Sequence, residues 1–129
     1  VIFASEIMDP APEAGFYTWD IAQDILYGDA AIAALFGLDS AETQRGLPLG
    51  DYIQRIHPDD RSKIARAISD TVIAGVPQQE CYRVLGLNDR YTLVISYGRC
   101  FRDRHGDPIL YSGIIIPSLD EEDDGEQAH

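Results

Sequence analysis

The side chains best suited to chemistry stand close together. His57, Asp59 and Asp60 lie within the run DYIQRIHPDDRSKIARAISDTVIAG at 51–75. An imidazole beside two carboxylates could hold a divalent metal or serve as an acid–base group. Either use needs partners from elsewhere in the fold. The chain has no GxSxG, phosphate-binding glycine loop, HExxH or zinc motif. A structural role explains the same residues more simply. His57 precedes Pro58, and the residue before a proline avoids helical geometry. Pro58 suits the first position of a new helix, where its missing N–H costs nothing. Asp59 and Asp60 then face the positive end of the helix dipole, each worth about 0.3–1 kcal/mol. The expectation is a helix start, with no catalytic residue, no metal ligand and no enzyme activity.

The remaining candidates are sparse. Cys81 and Cys100 form no CxxC pair and no Cys/His cluster of zinc-ligand spacing. They read as two reduced thiols in a cytoplasmic protein.

The elements around this run follow from periodicity and punctuation. Residues 16–20, aromatic and β-rich, form a strand, and 25–27 form a second, making a hairpin. Asp29 caps a helix whose face is Ile32, Leu35 and Phe36, and Gly37 ends it. A short helical turn starts at Asp39-Ser40 and stops near Gly46, and 51–56 make one to two turns more. In the long helix from Pro58, Ile64, Ala67, Ile68, Thr71 and Val72 share one face. Strands follow at 79–87, 91–103 and 109–116, with turns at 87–90 and around Gly106. The order β-β-α-α-α-β-β-β describes an α+β fold, a five-stranded antiparallel sheet with helices packed on one face.

Charge and composition exclude several classes. The 129 residues are 45% hydrophobic and 25% charged, ordinary for one globular domain. The net charge is −12, and the last ten residues hold six acids with no Lys or Arg. The rest still carries a net negative charge and no basic stripe, which argues against nucleic acid and anionic membranes as partners. No apolar run approaches the roughly 20 residues of a membrane span. The expected organisation is a leader at 1–14, a domain at 15–119 and a disordered acidic tail at 120–129. The start at Val1 rather than Met fits a segment of a longer protein.

Five short stretches, in order, resemble a PAS domain: G-F-Y-T-W-D at 15–20, A-A-L-F-G-L-D at 33–39, I-H-P-D-D-R at 56–61, Y-R-V at 82–84 and G-R-C-F-R-D-R-H-G-D-P-I at 98–109. In the subgroup with this pattern, HPDDR opens the long helix that lies across the sheet. The chain departs from that pattern twice. Asn88-Asp89-Arg90 stands where Asp-Gly is common, with Leu93 in place of a Trp. Pro117-Ser118-Leu119 stands where an Asp-Ile-Thr exit motif is usual.

The resemblance implies a signalling module acting through protein–protein contacts, with or without a small molecule. It would be the sensory part of a histidine kinase or similar protein, or else a standalone adaptor docking on one. The long helix holds no His of the kind that ligates haem in some members. The Asn-Cys-Arg-Phe-Leu-Gln motif of flavin photoreceptors is absent, so no cofactor is expected. A pocket between sheet and helices would be lined by Trp19, Tyr27, Phe36, Ile53, Ile64, Ile68, Tyr82, Val94 and Tyr97. These either fill the core or surround a small apolar or aromatic ligand. The tyrosines keep the second role open, because a buried hydroxyl needs a partner. The sheet face away from the helices, and Ile2, Phe3, Ile7 and Met8 in the leader, would contact a partner or a second copy in a homodimer.

Overall fold

Alternation along the first strand puts Tyr17 and Trp19 on one side and Phe16 and Thr18 on the other. In the computed structural model, which describes residues 13–118, this strand is β1 (Gly15–Asp20), followed by β2 (Ile25–Gly28). Asp24 takes the left-handed conformation in their turn, with φ 56°. Its carboxylate accepts from Trp19 Nε1 at 2.9 Å and from Leu49 N at 3.2 Å, tying the hairpin to the helical section.

That section consists of four helices: α1 (Ala30–Phe36), α2 (Ser40–Arg45), α3 (Leu49–Ile53) and α4 (Pro58–Ala74). Asp29 and Asp39 cap the first two, accepting from Ile32 N and Glu42 N at 3.0 Å. Gly37 and Gly75 close α1 and α4 with φ of 65° and 75°, which only glycine adopts freely. The expected turns at 51–56 begin earlier and stop at Ile53. Ile56 instead bridges Val84, because the edge strand there needs backbone partners.

After the helices come β3 (Gln78–Leu85), β4 (Tyr91–Arg102) and β5 (Pro108–Pro117). Sheet order is β2-β1-β5-β4-β3, every pair antiparallel. Short hairpins dictate three of the four pairings. The fourth sets β1 beside β5 with Tyr17 opposite Gly113, joining the first and last strands within the sheet. The helices cover one face, where Ile32, Phe36, Tyr52, Ile64, Tyr82, Val94 and Tyr111 form the core. No helix among the described residues is long and apolar enough to cross a membrane.

Candidate functional site

The run at 55–63 seals the outer edge of β3. An edge strand exposes unpaired N–H and C=O groups, which invite a further strand. Here Leu85 N donates to Arg55 O at 2.7 Å, and His57 N donates to Arg83 O at 2.9 Å. Arg83 N donates to Asp60 Oδ2 at 2.9 Å, and Lys63 Nζ donates to Cys81 O at 2.6 Å.

Each conspicuous residue of HPDDR has a structural post. His57 is the N-cap of α4, its Nδ1 accepting from Asp59 N at 3.1 Å. Pro58 is the first helical residue. Asp60 is buried and grips the Arg83 guanidinium through both oxygens, at 2.9 and 3.0 Å. These hydrogen bonds hold its carboxyl below the usual carboxylate range, against the opposing effect of burial. Arg61 donates to Ile56 O at 2.9 Å and to Gln54 O at 3.0 Å. Among the described residues no three metal-ligating side chains cluster.

Space for a ligand lies elsewhere, between the inner sheet face and the helices. A cavity of about 50 Å³ is walled by all five strands on one side and by α1, α3 and α4 on the other. Of the expected liners, Trp19, Phe36, Ile53, Ile64, Ile68 and Tyr82 reach it. Val94 is buried in the core but does not line it. Tyr27 and Tyr97 are corrections. Both are exposed, 42% and 38%, because strand alternation puts them on the outer face. Val94 and Tyr97 are three residues apart on one strand and cannot share a face. The leader residues Ile2, Phe3, Ile7 and Met8 fall outside the described residues.

The helical wall is almost entirely apolar, and the polarity is concentrated on the sheet. Tyr111 Oη donates to Gln78 Oε1 at 2.5 Å, and Gln78 Nε2 donates to Ser96 Oγ at 2.8 Å. The Tyr82 hydroxyl lies near the Ser96 side chain. On the helical side Tyr52 Oη donates to Leu26 O at 2.9 Å. Burial pushes the Tyr52 and Tyr111 hydroxyls up to about 12, and those of Tyr17 and Tyr82 higher still.

Tyr17 lies across the facing glycines of the two central strands, Gly98 and Gly113. A Cβ at either would stand 2.6 or 2.7 Å from Tyr17 Oη, so only glycine leaves room for the ring. Tyr17, Tyr52, Gln78, Ser96 and Tyr111 were not among the expected liners. Tyr17 shares its parity with Trp19, and the strand glycines signal a close approach. Those two signals were available, whereas nothing local marks Gln78 or Ser96.

The cavity as it stands is smaller than a large cofactor. The cavity is about a third of the ~150 Å³ that admits benzene, far below an isoalloxazine ring or a haem. No His or Cys lines it. Cys81 is exposed, and Cys100 packs against the core.

A five-stranded antiparallel sheet with helices on one face around an apolar cavity defines a class of α+β domain. A family model described as the PAS fold matches residues 25–115, and the chain belongs to that family. Its fold is similar to that of the N-terminal domain of a diguanylate cyclase with PAS/PAC sensor from Marinobacter aquaeolei. The two share 20% identity over 81% of this chain and 94% of that chain, with a TM-score of 0.72. A sensory box histidine kinase/response regulator from Burkholderia thailandensis is also similar, with 20% identity, coverage of 99% and 92%, and a TM-score of 0.74. A light-oxygen-voltage domain studied with a flavin analogue aligns at 12% identity, 96% and 89% coverage, and a TM-score of 0.63. None of the curated proteins matches the chain.

Proposed function

We propose that this chain is a non-catalytic sensor module in cytoplasmic signalling, the sensory part of a histidine kinase or similar protein, controlled by a small molecule held between sheet and helices. The observation that carries this reading is the cavity, with hydrogen-bonding groups gathered on one wall and apolar side chains on the other. Solved domains of similar fold come from a diguanylate cyclase and a histidine kinase, which supports the signalling role.

The strands that form the polar wall also carry the outer face. On β4, Ser96 points in and Tyr97 out. On β5, Tyr111 and Ile115 point in, while Leu110 and Ile116 are exposed. A ligand preferring one sheet geometry shifts the population of conformers and so the outer contact surface. Phe16, Tyr97, Phe101 and Ile116 give that surface its apolar character, suited to a signalling protein or a second copy in a homodimer. A protein-docking adaptor is the second reading, favoured by Pro117-Ser118-Leu119 standing where an Asp-Ile-Thr exit is usual.

Native mass spectrometry of the protein purified from its own host tests this reading. A bound small-molecule mass or a dimer mass is expected. A bare monomer in every preparation counts against it.

A further inference from the structure

Tyr17 stands apart from the other polar groups of the cavity. It is 9% exposed, yet its hydroxyl makes no hydrogen bond to any described residue. Every fully enclosed polar side-chain atom among the described residues does have a partner. The Tyr17 hydroxyl therefore opens on space, and Tyr17 lines the cavity. The Gly98–Gly113 pair forms the floor beneath it. Tyr17 Oη and Gln78 Oε1 converge there, 2.6 and 2.8 Å from where a Cβ of residue 98 would stand. A hydroxyl that faces open space and has no protein partner can donate to whatever molecule fills that space.

The lining also limits what that molecule can be. No Asp, Glu, Lys, Arg or His is among the lining residues, so a charged group would enter unpaired at high cost. Tyr111 Oη is already committed to Gln78, and Gln78 to Ser96. The Tyr17 hydroxyl is an uncommitted donor. The opposite wall, with Phe36, Ile64 and Ile68, suits a hydrocarbon body. On the benzene scale the cavity as it stands admits about two heavy atoms, so a molecule of about five needs the apolar wall to give way.

Resting on the ligand-binding reading above, we propose that the cavity takes a small uncharged molecule with an apolar body and one hydrogen-bond acceptor, and that Tyr17 donates to that acceptor. A short-chain ketone or aldehyde has this chemistry. A carboxylate of the same size does not.

The test is an NMR titration of the full chain with 2-butanone and with propionate, for the parent protein and Tyr17→Phe. Removal of an unpaired hydroxyl leaves the fold intact, which the spectrum of the free variant checks. Amides near Ser96, Tyr111 and Ile64 should shift with 2-butanone, with a dissociation constant on the order of 1 mM. Tyr17→Phe should weaken this about fivefold, and propionate should leave the same amides unmoved. Equal 2-butanone affinity in Tyr17→Phe overturns the role of Tyr17 while the cavity reading stands. Propionate binding as well as 2-butanone overturns the uncharged class. No shift at these amides up to about 100 mM 2-butanone overturns both this proposal and the ligand-binding reading.

Discussion

Asp60 takes three hydrogen bonds from Arg83, one from its backbone N–H and two from its guanidinium, all between 2.9 and 3.0 Å. One carboxylate thus closes the edge of β3, neutralises an arginine and anchors the first turn of α4. Asp60→Ala should lower stability by about 2 kcal/mol in urea unfolding. That is less than the ~3–5 kcal/mol of a fully buried pair, because the guanidinium is partly solvated.

The same pair sets an acid limb. Arg83 holds the folded-state carboxyl of Asp60 below its ordinary value. Its contribution is present above the unfolded value of about 3.9 and is lost as pH falls through the folded one. Stability measured between pH 7 and pH 3 should therefore fall more steeply for the parent protein than for Asp60→Asn.

At the alkaline end the sign reverses. Burial raises the hydroxyls of Tyr52 and Tyr111 to about 12, so folding favours their neutral forms. The contribution is complete below the unfolded value of about 10 and disappears as pH rises through the folded one. Stability should decline above about pH 10, and Tyr52→Phe should make that decline shallower.

The two glycines under Tyr17 should differ in cost. The nearest atoms to a Cβ at Gly98 belong to the side chains of Tyr17, Tyr111 and Gln78, whereas one at Gly113 runs into the Tyr97 carbonyl of the neighbouring backbone. Gly98→Ala should cost about 1–3 kcal/mol, and Gly113→Ala more. Tyr17→Phe should recover part of the Gly98→Ala loss and little of the Gly113→Ala loss, as a double-mutant cycle would show.

His57 should behave as a cap. His57→Ala removes the acceptor for Asp59 N and should cost about 1 kcal/mol. His57→Asp, which keeps an acceptor there, should recover most of it in thermal unfolding.

Short-range physics was legible in the sequence. Asp29, Asp39, Gly37 and Gly75 mark helix ends through contacts three or four residues away. Pro58 announces α4 in the same way, and alternation declares each strand. The motifs at 15–109 added the family. Alternation also separates Tyr97 from Val94, since strand parity alone sends their side chains to opposite faces.

Only the tertiary structure decided the rest. The pairing of β1 with β5 joins Thr18 to Ser112, and no local preference encodes a contact between segments so far apart. The helix dipole already explained Asp60, so its second role appears only once β3 lies alongside α4. The cavity is what the side chains of eight elements leave unfilled. That remainder depends on all of them packed together, and no stretch of the chain read singly contains it.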